Sequence, residues 1–183
     1  MRPLVCSAAA LVAFAVACDS PTMQHSQGHD ELQPAHGVGA AATDLSPEAL
    51  QWLADLRRQY APLHSLERAQ DAGYVAQLSP CGEHPTLGGM GIHWGNPTRI
   101  DGTVSALEPE VLLFAPRSNG TYGLAAVEFI VPYALWTSST PPTLFGMEFH
   151  PNPGLQLWMM HIWLWRNNPT GLFSDWNPEV DCL

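Results

Sequence analysis

Prolines at 132, 141, 142, 151, 153, 169 and 178 punctuate the second half of the chain and limit what it can become. Proline has no backbone N–H to give, so it interrupts helices and is excluded from the middle of a sheet. The apolar runs left between these prolines and the turns are short: Glu110 to Ala115, Tyr122 to Val131, Thr143 to Phe149 and Leu157 to Trp165. Their lengths suit strands. Asp101-Gly102 and Ser118-Asn119-Gly120 are turn signals, so successive strands are expected to pair antiparallel.

The first half reads differently. In Leu45-Ser46-Pro47-Glu48, Ser46 is placed as an N-cap, Pro47 at the first helical position and Glu48 in the first turn. Leu50, Leu53, Leu56 and Tyr60 supply an apolar stripe at helical spacing. Pro62 is expected to break this helix, and a second runs from His64 to Ala72 before Gly73 ends it. Tyr74 to Leu78 is a short strand candidate. The stretch from Cys81 to Pro97 then packs five glycines and two prolines into seventeen residues, which implies tight turns or close backbone approach. It is not a phosphate loop, because no lysine or helix start follows it. Helices first and an antiparallel sheet afterwards make an α+β domain, with a partial barrel as one form the sheet can take. That domain is assigned to residues 46–183.

Ahead of it lies a different kind of sequence. Arg2 is the only charge before an apolar run from Leu4 to Ala17, too short to span a bilayer but suited to a secretory signal, assigned here to residues 1–17. Ala15-Val16-Ala17-Cys18 resembles the lipobox of bacterial lipoproteins, in which the cysteine carries lipid and becomes the mature N-terminus; Ala15 departs from the usual leucine, and ordinary signal peptidase would cut at the same point. Residues 18–45 are small and polar, without hydrophobic periodicity, and read as a disordered tether. Its His25, His29, His36 and Met23 could hold copper or zinc loosely, or belong to a solvated linker. These features predict an exported protein of the cell envelope, attached to the membrane by lipid on Cys18.

Cysteine usage agrees with that compartment. With Cys6 lost and Cys18 lipidated, Cys81 and Cys182 remain, either as two buried thiols or as a disulfide. A bridge would close a loop of 182 − 81 = 101 residues, for which chain entropy gives ~4–5 kcal/mol. The chain holds no lysine, and after loss of Arg2 six arginines face seventeen acids, a net charge of −11. Phosphate backbones and anionic headgroups need clustered positive charge, so nucleic acid is not an expected partner.

Most of the apolar runs carry an ionisable residue: His93, Glu110, Glu128, Glu148 with His150, and His161. Burying such groups costs several kcal/mol unless they pair, lose their charge or bind a metal. Histidine with carboxylate makes sites for zinc, iron or manganese, and Met90, Met147, Met159 and Met160 would add copper. The plainer account is open for each: a core histidine bonded to a carbonyl, a strand-end acid in water, methionine and tryptophan as core filling. The hairpin register separates two cases. A two-residue turn at Asn119-Gly120 sets Glu128 opposite Val111, whereas a three-residue loop with a left-handed glycine sets Glu128 opposite Glu110, where two carboxylates would share a proton or a cation.

Several segments resemble a group of uncharacterised exported bacterial proteins: Gly89-Met-Gly-Ile-His93, Pro109-Glu-Val-Leu-Leu113, Val127-Glu-Phe129 with Pro132, Met160-His-Ile-Trp-Leu-Trp165, Asn168-Pro-Thr-Gly-Leu-Phe173 and the run from Trp176 to Cys182. The resemblance covers most of the chain after Gly73 and brings no activity with it. No nucleophile elbow or closely spaced metal motif occurs. The expectation is therefore a metal or small-ligand site drawing on His93, Glu128 and His161, with Glu110 and His150 as further candidates. A metal-dependent enzyme built on the same residues and an envelope interaction module are the alternatives.

Overall fold

The computed structural model describes residues 45–182. The expected signal segment 1–17, Cys18 with its expected lipid, and His25, His29 and His36 of the expected tether lie outside the described residues. Helix α1, Pro47–Tyr60, starts as its sequence dictates: the Ser46 side chain accepts the Ala49 N–H at 3.1 Å and Pro47 needs no partner. Its buried face is Ala49, Leu53, Leu56 and Tyr60. Leu50, expected in that stripe, is 43% exposed, because the spacing 49, 53, 56, 60 already defines the helical face and residue 50 falls beside it. A short 3-10 turn at Ala61–Leu63 leads to α2, Leu66–Asp71, and Gly73 ends the helical segment in a left-handed conformation.

Eight strands follow: β1 Ala76–His84, β2 Gly88–Gly95, β3 Val111–Pro116, β4 Tyr122–Pro132, β5 Thr143–Leu144, β6 Met147–Glu148, β7 His150–Asn152 and β8 Leu157–Ile162. Six form one antiparallel sheet in the order β1-β2-β3-β4-β8-β7, curled into a half-barrel, and β5 pairs with β6 separately. The protein is thus α+β with a partial barrel. Of the two expectations for the glycine-rich stretch, close backbone approach holds: it is mostly a hairpin of two long strands, and a Cβ on Gly91 would stand 2.6 Å from the Phe114 carbonyl oxygen. One reading of the sequence needs correction. The run from Thr143 to Phe149 is not one strand, because Phe145 and Gly146 both take positive φ and fold it into a turn.

Both faces of the sheet are apolar. One, with Leu112, Phe114, Val127, Phe129, Val131, Met160 and Ile162, packs under the helices through Leu53, Leu56, Tyr60 and Ala69. The other carries Val111, Leu113, Ala126, Ile130, Met159 and Trp163 and is joined by Val180 from the C-terminal segment. A disulfide between Cys81 and Cys182 ties that segment to β1, and a bridge between Gly89 and Asn177 ties it to β2. The alternation of strand side chains puts His93, Glu128 and His161 on this second face.

The β3–β4 hairpin combines the two anticipated registers. Its loop has three residues, with Gly120 at φ +78° and Arg117 N–H donating to Thr121 O at 2.8 Å. A bulge at Ala125 then shifts the ladder by one residue, so Leu113 pairs with Ala126 and Val111 with Glu128. Glu110 and Glu128 consequently do not stand opposite one another. The Ala125 carbonyl accepts the N–H groups of Trp165 and Arg166, which keeps the segment after β8 against β4. Leu157 to Trp165 is a strand only as far as Ile162, after which the Trp163 N–H turns to the Leu172 carbonyl.

Candidate metal centre

Glu128 and His161 are direct cross-strand partners on β4 and β8. His93 stands on β2, with β3 between it and Glu128. Backbones two strands apart are separated by about 10 Å in a flat sheet. The two side chains close that gap over β3, with His93 Nε2 3.7 Å from Glu128 Oε2. His161 Nε2 is 3.6 Å from Glu128 Oε1 and 3.5 Å from His93 Nε2. All three residues are buried, with exposures of 8% for His93, 4% for Glu128 and 0% for His161.

The outer hydrogen bonds determine which ring nitrogens face the centre. Ser79 Oγ stands 3.0 Å from Pro80 O and 2.8 Å from His93 Nδ1. With its one proton on Pro80 O it accepts from His93 Nδ1–H, the tautomer that leaves a lone pair on Nε2. His161 Nδ1 lies 3.0 Å from Asp175 Oδ1, where a carboxylate can only accept, so neutral His161 likewise turns a lone pair from Nε2 toward Glu128 and His93. Two imidazole lone pairs and one carboxylate edge converge. The nitrogens are 3.5 Å apart and each lies 3.6 or 3.7 Å from one oxygen of the carboxylate, the spacing of donors that share a tetrahedral cation at about 2.1 Å.

The electrostatics point the same way. Burial, reinforced by the neighbouring His161, lowers the His93 pKa to about 3, so its ring is neutral and free to coordinate. Burial pushes the Glu128 carboxyl up, against the pull of His161. For His161 burial opposes the charged form, but Glu128 and Asp175 outweigh it and its pKa rises. Burial also works against the Asp175 carboxylate, and the close approach of the His150 and His161 rings overcomes that and holds it well below the usual range. Without a cation, the pocket shares one histidine proton between two acids. A dication replacing that proton neutralises both carboxylates at once.

His150, at the start of β7, reaches the group from outside: its Nε2 is 3.0 Å from Asp175 Oδ1, without the alignment of a hydrogen bond. Glu110 lies elsewhere. It lines a hollow of about 110 Å³ with Arg99, Asp101 and Glu108, and its Oε2 accepts the Ile130 N–H at 3.1 Å. Glu148 is exposed on β6. Of the methionines, Met159 packs in the core on the site's face, where its sulfur takes the Asn152 amide at 3.3 Å, and Met160 faces the helices.

Asp175 and Ser79 escaped the sequence reading. Asp175 sits in Phe173-Ser-Asp-Trp176, outside every strand candidate, where an acid next to serine looks like a turn residue, and nothing in the spacing links it to His161. It is positioned by neighbours: Trp163 Nε1 donates to Ser174 O at 2.6 Å and Asn168 Nδ2 to Trp176 O at 3.0 Å. Trp163 thus has a task besides filling the core, which is to hold the loop that presents Asp175. No family model, curated protein or solved structure matches the chain.

Proposed function

We propose that the protein binds a divalent transition-metal ion through His93 Nε2, His161 Nε2 and the Glu128 carboxylate, and that it does so outside the cytoplasm, attached to a membrane by lipid on Cys18. The observation that carries the reading is the inward convergence of two lone-pair nitrogens and a carboxylate at bonding separation, with the far nitrogen of each ring engaged by Ser79 or Asp175. Metal-ligating histidines commonly have such outer partners, which fix the tautomer and raise the basicity of the ligand. A nitrogen and oxygen donor set suits zinc, iron or manganese better than a sulfur-preferring ion. Burial of all three donors favours an ion that is retained over a site where a bulky substrate turns over.

The exported setting rests on the leader and on the Cys81–Cys182 bridge, a bond that persists in oxidising compartments. Metal analysis of protein purified without an affinity tag, alongside His93→Ala, His161→Ala and Glu128→Gln, tests the site. One equivalent of metal in the wild type and its loss in the variants is expected. Absence of metal, together with zinc affinity unchanged by all three substitutions, would overturn the reading. Mass spectrometry of the mature N-terminus tests the anchor, and an unmodified Cys18 would remove it.

A further inference from the structure

His161 has two ring nitrogens, and each faces its own set of donors. Beyond Nε2 are His93 and Glu128; beyond Nδ1 are Asp175 and His150. His150, His161 and Asp175 form a second group of three, one donor atom from each lying within 4.8 Å of the others. Within it Asp175 Oδ1 is 3.0 Å from His161 Nδ1 and 3.0 Å from His150 Nε2. Donors at right angles, each about 2.1 Å from a common cation, stand about 3.0 Å apart. His150 Nε2 is shielded from water and meets Asp175 Oδ1 at 3.0 Å without hydrogen-bond alignment, so the nitrogen is held beside a carboxylate where a shared cation would engage both.

We propose that His150, Asp175 and His161 Nδ1 form a second cation site, so that His161 bridges two metal ions. The proposal rests on the first site, since the bridge needs an ion on Nε2. Two buried cations sharing one ring need three anionic ligands near them: Glu128, Asp175 and the ring itself. When the second ion binds, a bond from Nδ1 to the metal replaces the Nδ1–H bond, that proton leaves to solvent, and His161 remains as an imidazolate coordinated through both nitrogens. No electron is transferred. The two sites differ in access: the side chains of His150 and Asp175 are 20% and 24% exposed, whereas that of His161 is fully buried. The outer ion therefore exchanges with solution more readily than the inner one, and its chemistry is that of a dication accepted by two imidazoles and a carboxylate.

The test uses the full chain with His25, His29 and His36 replaced by alanine, which removes the tether histidines as competing ligands. Zinc titration followed by desalting and metal analysis is expected to give two equivalents, and His150→Ala in the same background to give one. Copper(II) loading gives an independent readout: two copper ions on one imidazolate couple, so the resonance signal falls well below two spins per chain, while His150→Ala restores one full uncoupled spin. One zinc equivalent in both proteins would overturn the bridge and leave the first site standing. No zinc in either would overturn both. Two equivalents that persist in His150→Ala would place the second ion elsewhere and equally overturn the bridge.

Discussion

Replacing Glu110 with glutamine should make the protein more stable at alkaline pH and leave it unchanged at acid pH. Glu110 is 3% exposed, and its Oε2 accepts the Ile130 N–H. Burial raises its pKa from 4.5 to about 8, against the pull of that backbone bond, with Asp101 and Glu128 adding to the rise. The folded chain therefore binds this proton more tightly than the unfolded chain does. Below pH 4.5 both states hold it and the full stability is present. Between 4.5 and about 8 the unfolded state releases it first, so stability falls by ~1.4 kcal/mol per pH unit, or about 3–5 kcal/mol across the interval.

Glutamine keeps an oxygen for the Ile130 N–H and cannot ionise, so the variant escapes the loss. The measurement is urea unfolding of both proteins, disulfide intact, followed by tryptophan fluorescence from pH 4.5 to 8.5. Other titrating groups cancel in the difference between wild type and Glu110→Gln. That difference should be within about 1 kcal/mol of zero at pH 4.5 and reach several kcal/mol in favour of the variant at pH 8.5. Parallel curves across the range would show that Glu110 ionises normally and that its burial does not penalise the charge.

Asp175→Asn preserves the shape of the loop but removes the charge opposite His161 Nδ1, and zinc affinity measured by competition with a chelator should weaken roughly 10–100-fold with the fold intact. Replacing both cysteines with serine frees a loop of 101 residues in the unfolded state and should lower unfolding stability by roughly 4 kcal/mol in a denaturant titration. Gly91→Ala should cost at least about 2 kcal/mol in the same assay, since residue 91 has φ +93° and the new methyl meets the Phe114 carbonyl, whereas Gly120→Ala, with open space around its Cβ, should cost less.

Helix α1 was legible almost to the residue because its signals are local: a serine cap, a proline at the first position and an apolar stripe. The antiparallel strands were legible from short apolar runs and turns. The hairpin of β1 and β2 was not, because its seven glycine and proline positions read as breaks, and what Gly88, Gly89 and Gly91 provide is room for the C-terminal segment and for β3, which are distant in sequence. In the site, His93, Glu128 and His161 stood out as ionisable residues in apolar runs, a mismatch that sequence exposes directly. Asp175 could not stand out. It lies in a loop and not in an apolar strand, and its importance comes from a tertiary contact 14 residues from its partner.

The bulge at Ala125 was invisible for a related reason, and it decides where the site forms. In a strand with one wet face, an extra residue breaks the alternation of polar and apolar side chains and can be read off. In β4 both faces are buried, so Leu124-Ala-Ala-Val127 gives no alternation to break. Yet Leu124 packs under the helices while Ala125 and Ala126 both belong to the opposite face. That doubled step turns Glu128 onto the face that carries His93 and His161. A three-residue loop with no bulge would instead set Glu128 opposite Glu110, two carboxylates confined together away from the histidines. The apolar residues on either face would tolerate such a slip, since each would only exchange one hydrophobic surface for another. Glu128 would not, because it would lose His93 and His161 and gain a like charge. The polar residues of the site therefore help to hold the register that builds it.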